Sequence, residues 1–565
     1  MTPASDSVRP RSKSVPGIAA LVLLFAGAAL YLVLCMSRET NIYDEGVILF
    51  GAARALDGAI LHRDFHANYG PGQFYVLAAL YKIFGASILI ERVWDTIVRS
   101  CSVVLVYVIV GRTAPRALAV SAAMISLLWL GAFRFYGYPV FPALAADLAG
   151  LALLMPILGR TTRPAPGLIA SGGCAGLAML FRYDIGFFTF GAECGILALS
   201  AWLFPLGGQH RLRSALRDLV WFGLGFAIVV MPVAAFLAVN GAIPDLIFDI
   251  VTFPAQFYVK MRSLPFPGLS AISRTPAKFA VYLPLLICAA AAPTIVTLAR
   301  RRGEAVRTGP ERAGRHALLW ALLTLVVLTL VLFGKGVVRV EVVHMAMALI
   351  TAVALAGMLA QPVIGRGLIG RSLVIAALLA VCAWTCIAVA IGLRQAQQNV
   401  IWAMDPASWE NSATGMPPAS GDCLMPPGLE RLACFATDPE TIDTIRYVQQ
   451  RTTPDDPVFI GLSRHDKIFA NDVLLYFAMN RKPVTKWYHF EPGLQTAAPI
   501  QQEMIADLER AQPKLIVIEA KWAEVIEPND SALSDATLLD DYLQKTYEPV
   551  TRFGTNTILQ RRAVD

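Results

Sequence analysis

Residues 15–36 read Val15-Pro-Gly-Ile-Ala-Ala-Leu-Val-Leu-Leu-Phe-Ala-Gly-Ala-Ala-Leu-Tyr-Leu-Val-Leu-Cys-Met36, and Ser37-Arg-Glu-Thr-Asn-Ile-Tyr-Asp-Glu45 follows directly. No charge interrupts the chain between Lys13 and Arg38. One bilayer crossing needs about 20 mostly apolar residues, and this run supplies them. Arg9, Arg11 and Lys13 precede it. The run is too long for a signal-peptide core and no small-residue cleavage site follows, so it reads as an uncleaved first membrane helix. Two carboxylates, Asp44 and Glu45, stand just beyond it.

Ten further apolar runs follow, at 90–110, 117–133, 142–158, 166–182, 185–204, 219–240, 281–299, 316–333, 343–360 and 371–392. Composition agrees with this reading. Of 565 residues, 56 % are apolar or aromatic and only 16 % charged, with a mean hydropathy of +0.56. A soluble domain carries about 25 % charge. Disorder, a collagen-like chain and a small disulfide scaffold are excluded. The expected fold class is a polytopic α-helical membrane protein with about eleven transmembrane helices.

The net charge of +7 raises nucleic acid as a partner. The distribution of the charge excludes it. With the N-terminus in the cytoplasm, every even-numbered loop is basic: Arg112 and Arg116, Arg160 and Arg163, Arg211, Arg213 and Arg217, the arginines between 300 and 315, and Arg366 and Arg371. Acids and aromatics collect in the opposite loops. This is the positive-inside pattern, and it places the C-terminus outside. The expected location is the plasma membrane, the inner membrane of a bacterium, and the first partner is the lipid bilayer. Seven of the nine cysteines lie in or beside apolar runs, where Cys acts as a small hydrophobe. Cys423 and Cys434 lie in a polar outer region and are candidates for a disulfide.

The expected organisation is a membrane domain at 1–392 with a large first outer loop at 37–89, a linker at 393–437 rich in Pro, Gly and Ser, and an outer domain at 438–565. In that last part, helical spacing at 439–451, 471–479, 498–511 and 536–546 alternates with strand-like runs at 457–462, 514–519 and 556–561. The alternation predicts a C-terminal extracytoplasmic α/β domain with a partly parallel sheet.

The first outer loop carries most of the chemistry. Glu45 to Leu56 predicts a short amphipathic helix stopped by Gly58. Adjacent residues point about 100° apart on a helix, so Asp44 and Glu45 divide roles, one facing a site and one supporting it. The plain alternative is that Asp44 caps the helix. Next, His62-Arg-Asp-Phe-His-Ala-Asn-Tyr69-Gly-Pro-Gly72 gathers His62, Arg63, Asp64, His66 and Asn68 before a turn and an aromatic interfacial segment. The alternative here is a solvated loop. A metal held by His62, Asp64 and His66 fits few helical sites.

Three further places suit a site at the outer face. Phe181-Arg-Tyr-Asp184 separates the fifth and sixth runs at their outer ends, and Arg182 can clamp a phosphate bidentately. The alternative is a local Arg182–Asp184 pair. Lys335-Gly-Val-Val-Arg339-Val-Glu-Val-Val-His344 lies between the ninth and tenth runs, and Arg339 and His344 can meet a phosphate or a hydroxyl. The alternative is a snorkelling basic segment. Arg134-Phe-Tyr-Gly-Tyr-Pro139 joins the third and fourth runs, and Asp147 after it reads as a second polar site residue or as an internally paired acid. In the loop at 242–280, Lys260 and Arg262 are candidate guards of a cleft, with a surface loop as the plainer reading.

Tyr43-Asp44-Glu45-Gly46, Arg63-Asp64-Phe65, Tyr69-Gly70-Pro71-Gly72, Phe84-Gly85 and Arg92 together resemble the first outer loop of GT-C glycosyltransferases. The branch is that of the protein O-mannosyltransferases, the lipid A aminoarabinose transferase and related polyprenyl-phosphate-sugar enzymes. The motif-level likeness covers residues 40–92, and the architecture is similar over the whole chain. The resemblance implies inverting transfer of a sugar from a polyprenyl-phosphate donor to a glycan, lipid or protein acceptor, with a first-loop carboxylate as base. Asp44 and Glu45 are then the candidate catalytic residues. Arg182 looks like the family's cation facing the donor phosphate, with Arg339 beside it. Asp64, His66, Tyr69, Asp184 and His344 are candidate substrate-binding residues. No cofactor is required by the reading; a divalent metal cation is used by some relatives, and no ligand set here stands out. The rival class is a transporter or flippase of a lipid-linked glycan. It would show repeated halves or paired broken helices, and neither is present.

Overall fold

The computed structural model describes residues 17–205, 210–258, 261, 263–300, 310–361, 367–404, 427–433, 435, 437–467, 470–491, 493–521, 523, 534 and 536–563. Cys423, Cys434, Lys260 and Arg262 lie outside the described residues.

Each of the eleven apolar runs is helical. The chain passes through α1 (Ile18–Leu34), α2 (Asp44–Leu56), α3 (Pro71–Phe84), α4 (Ile88–Gly111), α5 (Arg116–Ala132), α6 (Val140–Leu154), α7 (Ala165–Phe181), α8 (Tyr183–Leu203), α9 (Arg211–Val239) and the short α10 (Ile243–Ile247). Two π-helical turns follow, Phe248–Thr252 and Pro254–Tyr258. Then come α11 (Leu269–Arg274), α12 (Leu283–Arg300), α13 (Pro310–Gly336), α14 (Ala346–Leu359) and α15 (Leu368–Met404). Among the described residues six helices are long and apolar enough to cross a membrane, and α1, α5, α6, α7 and α14 are shorter apolar helices. The chain is an integral membrane protein.

Lipid offers no hydrophobic reason for helices to associate, so membrane helices pack through small residues. The contact of α7 with α9 shows this. A Cβ on Gly172 would overlap the Phe222 carbonyl, and one on Gly225 would overlap the Ile169 carbonyl. Helix α15 continues past residue 392 to Met404. Asn399 on this extension donates to the carbonyls of Leu34 and Met36, both at 2.8 Å, which fastens it to the end of α1.

The C-terminal part contains α16 (Pro439–Arg451), β1 (Phe459–Leu462), α17 (Leu474–Met479), α18 (Ala498–Ala511), β2 (Leu515–Glu519), α19 (Leu538–Thr546), β3 (Tyr547–Phe553) and β4 (Asn556–Arg561). The sheet order is β1-β2-β4-β3. Strands β1 and β2 run parallel, Phe459 opposite Ile516, while β4 is antiparallel to both β2 and β3. The sheet is therefore partly parallel, with one strand more than the sequence pattern indicates. Strand β3 is an edge strand with Pro549 and a register shift between Pro549 and Thr551. Its face is mostly exposed, so no hydrophobic alternation marks it.

Helix α2 connects the two parts. The expected helix forms and Gly58 ends it with φ +88°. It is not amphipathic in its surroundings, because Glu45 through Ala53 are all buried. The reason is packing on two sides. Ile48, Phe50 and their neighbours share one core with Tyr476, Phe477 and Tyr488, and Phe50 stacks on Tyr476 at 5.0 Å. The Leu474 N–H donates to the Ile42 carbonyl at 3.0 Å.

Candidate active site

Asn41 sets the start of α2. Its side-chain oxygen accepts from the N–H groups of Tyr43 and Asp44 at 3.0 and 2.9 Å. Its Nδ2 donates to Asp44 Oδ2 at 3.3 Å. The capping role considered for Asp44 is thus filled by Asn41, a residue sequence reasoning passed over. A polar side chain three residues ahead of the first helical turn was the signal available.

The two carboxylates diverge. Glu45 is 1 % exposed and meets Arg92 through two bonds, Nε to Oε1 at 2.6 Å and Nη2 to Oε2 at 2.9 Å. Arg92 also donates to the carbonyls of Ser37 and Glu39, and stands 3.6 Å from the Tyr136 ring centroid. Glu45 therefore fixes the strap between α1 and α2 to α4. Asp44 is half-buried on another face, and its charge reaches the hydroxyls of Tyr69 and Tyr138. Burial first, and then that charge, hold the Tyr69 hydroxyl well above its usual range. Tyr69 stays a neutral donor.

Arg182 is the hinge residue between α7 and α8, where the backbone turns extended for one residue. Its guanidinium carbon lies 5.3 Å from the Tyr69 ring centroid and 5.6 Å from that of Tyr138. Arg182 Nε and Nη2 donate to the two oxygens of Asp184 at 3.0 and 2.8 Å. The local pair therefore exists, and Arg182 faces the tyrosines as well. Among the described residues its Nη1 makes no protein hydrogen bond. Lys335, at the end of α13, comes to 4.0 Å from Asp184. Two cations thus face one acid. His344 lies 3.4 Å from the Tyr138 hydroxyl. Arg339 lies in the segment between α13 and α14, ahead of the turn that holds His344, and its backbone bridges Leu264.

The first loop reaches this cluster through a close backbone contact. The Gly70 N–H donates to the Phe181 carbonyl at 3.3 Å. A Cβ at Gly70 would overlap the Leu180 carbonyl, so only glycine lets Tyr69 sit against Arg182. Asp64 stands apart: Arg63 holds it with two bonds of 2.8 Å, and it accepts from the Ile60 N–H at 2.7 Å. The Arg63 contact comes first among the causes that hold its carboxyl below the usual range. His62 and His66 turn away from Asp64 and share Asp249. The three residues weighed as a metal set are thus spent elsewhere. Among the described residues no group of three or more His, Cys, Asp or Glu is arranged to hold a metal ion. Asp147 is buried in α6 and accepts from the Thr189 hydroxyl at 3.1 Å.

The structure brings together Asp44, Tyr69, Arg182, Asp184 and His344 from the sequence candidates. It adds Tyr138 and Lys335, which sequence reasoning quoted without assigning.

No family model matches the chain, and no curated protein does. Solved structures do. ArnT from Cupriavidus metallidurans bound to undecaprenyl phosphate superposes with a TM-score of 0.55 at 15 % identity, over 97 % of this chain and 99 % of that one. Its apo state gives 0.52 at 14 % identity, over 96 % and 98 %. The chain shares the fold of ArnT. The oligosaccharyltransferase AglB from Archaeoglobus fulgidus, in complex with an inhibitory peptide and a dolichol-phosphate, reaches a TM-score of 0.48 at 12 % identity, over 95 % of this chain and 74 % of that one. Within this fold, the cluster around Arg182 lies where the first outer loop, the α7–α8 hinge and the end of α13 meet.

Proposed function

We propose that this protein is an integral membrane glycosyltransferase that moves a sugar from a polyprenyl-phosphate donor to an acceptor outside the cytoplasm, with inversion. The observation that carries the reading is a cluster of cations and tyrosines on which the Asp44 charge acts: Arg182 stands 5.3 and 5.6 Å from the Tyr69 and Tyr138 rings, Lys335 comes to 4.0 Å from Asp184, and the Asp44 charge, after burial, raises both tyrosine hydroxyls. The shared fold with ArnT, solved with undecaprenyl phosphate, supports a lipid-phosphate donor.

Arg182 and Lys335 hold the donor phosphate, Arg182 through its Nη1 edge. Asp44 takes the proton from an acceptor hydroxyl as the oxygen attacks the anomeric carbon. The bond from that carbon to the phosphate oxygen breaks. The leaving polyprenyl phosphate departs as an anion and needs no proton. A positioned base of this kind contributes roughly 10²–10⁴-fold. Tyr69, Tyr138 and His344 line the space between the two charges as hydrogen-bonding partners for the sugar. A divalent cation is no required part of this mechanism. The N-terminus lies in the cytoplasm, and the α/β domain lies outside.

Purified protein in detergent, offered a panel of undecaprenyl-phosphate sugars and acceptors, tests the reading by release of undecaprenyl phosphate. Movement of a lipid-linked glycan across sealed vesicles, without release, would favour the transporter class instead.

A further inference from the structure

The loop after α9 contributes one acid that the proposed reaction does not use. Asp249 is 2 % exposed and stands in the π-helical turn Phe248–Thr252. Such turns are rare and recur at functional sites. Its carboxylate accepts three hydrogen bonds from the first outer loop. Oδ2 receives His62 Nδ1 at 2.7 Å and the Ala67 N–H at 3.3 Å, and Oδ1 receives His66 Nδ1 at 2.6 Å. Assigned from these partners, both rings carry their proton on Nδ1. His62 Nε2 then accepts from the Tyr183 hydroxyl at 2.8 Å.

Tyr183 is the residue after Arg182. The residue before it, Phe181, accepts from the Gly70 N–H. Both chain neighbours of Arg182 are therefore held by the first outer loop, at His62 and at Gly70. His62 has φ +72°, a left-handed conformation that is unfavourable for a non-glycine residue and persists only where its surroundings over-determine it. Here the ring is clamped at both nitrogens and the His62 N–H donates to the Phe65 carbonyl at 2.9 Å. A buried ionic cluster is a weak source of stability compared with apolar packing. What it supplies is a fixed arrangement.

We propose that Asp249 is a positioning residue of the donor site. Through His62 and Tyr183 it holds the α7–α8 hinge, so that Arg182 faces Tyr69 and Tyr138. The proposal rests on Arg182 as the donor-phosphate ligand.

The test uses the full-length protein in detergent, with Asp249→Asn and Tyr183→Phe. The amide keeps one acceptor oxygen and presents a donor where the other ring already donates, so it breaks one side of the clasp at constant size. The phenylalanine removes only the last link, with little risk to folding. Hydrogen exchange is read over 60–70 and 178–186, with β1 and β2 as internal controls, and undecaprenyl phosphate is the binding probe. Asp249→Asn should speed exchange in both segments and leave β1 and β2 unchanged. It should weaken undecaprenyl-phosphate binding about tenfold, the size of one lost positioned contact, while kcat at saturating donor changes far less. Tyr183→Phe should show the same pattern, smaller. Unchanged exchange at 178–186 in both variants overturns the proposal, and so does unchanged lipid affinity where Arg182→Ala loses it. If Arg182→Ala also binds the lipid normally, the donor reading of Arg182 fails, and the positioning role falls with it.

Discussion

Arg92 and Glu45 face each other in a two-point ion pair that is almost wholly out of solvent, at 0 % and 1 % side-chain exposure. The pair ties α4 to the first turn of α2, one residue from Asp44. Removing one partner of a buried pair leaves an uncompensated charge and costs about 3–5 kcal/mol.

Arg92→Ala and Glu45→Gln are therefore expected to lower the unfolding temperature in detergent and the yield of folded protein. Glu45→Gln protein that does fold should keep measurable sugar transfer. A thermally normal Glu45→Gln protein with turnover reduced by orders of magnitude would move the base assignment from Asp44 to Glu45.

Arg182 uses two nitrogens on Asp184 and, among the described residues, leaves Nη1 without a protein hydrogen bond. Arg182→Lys retains the charge and loses the fork, which the two roles share. The expected result is a donor KM raised by roughly tenfold or more with a stable protein, and a larger loss in Arg182→Ala. Lys335→Met should raise the donor KM less, because Lys335 touches Asp184 only at 4.0 Å. Initial rates against donor concentration read all three. An unaltered KM in Arg182→Ala would leave only the local pair with Asp184.

Much of this arrangement was legible in the sequence. Apolar runs mark helices because every backbone group in lipid must be satisfied within its own segment, and each run is helical in the structure. The strands β1 and β2 announced themselves as apolar stretches because they are buried, whereas β3 is an exposed edge. At the site, charge and position picked out Asp44 and Arg182. Asn41, Tyr138 and Lys335 did not stand out, because their roles depend on contacts between distant segments. Lys335 is paired with Asp184 only once α13 packs against α8. Asp249 was invisible for the same reason: nothing within its own stretch indicates two histidines some 180 residues earlier.

The α/β part should carry its own pH dependence. Asp472 is pushed up to about 7 by burial, and Glu519 to about 8 by burial and then by Asp472. Their unperturbed values are 3.8 and 4.5. The folded state thus binds protons that the unfolded chain releases. This stability is fully present below about pH 4 and is lost as pH rises through 7 and 8. The unfolding temperature is expected to fall between pH 5.5 and pH 8.5, and Asp472→Asn should flatten that slope. A slope of the opposite sign, unaffected by Asp472→Asn, would contradict it.

The base assignment can be tested most directly because the structure separates its two explanations. Asn41 caps α2, so an effect of Asp44→Asn on activity is not an effect on the cap. The amide keeps the size of the side chain and can still accept from Asn41 Nδ2, as the Asp44 oxygen does at 3.3 Å. It cannot take a proton from an acceptor hydroxyl. The expected outcome is normal expression, an unfolding temperature within a few degrees of wild type, retained binding of undecaprenyl phosphate, and turnover lower by about 10²–10⁴-fold. Asp44→Glu should recover part of that loss, since it restores the proton acceptor at a shifted position. The Asp44 charge acts on the Tyr69 hydroxyl, so Tyr69→Phe should reduce turnover by a smaller factor without abolishing it. Near-wild-type transfer by purified Asp44→Asn protein would remove Asp44 from the mechanism. Glu45, the neighbouring carboxylate held by Arg92, would then be the next candidate to test.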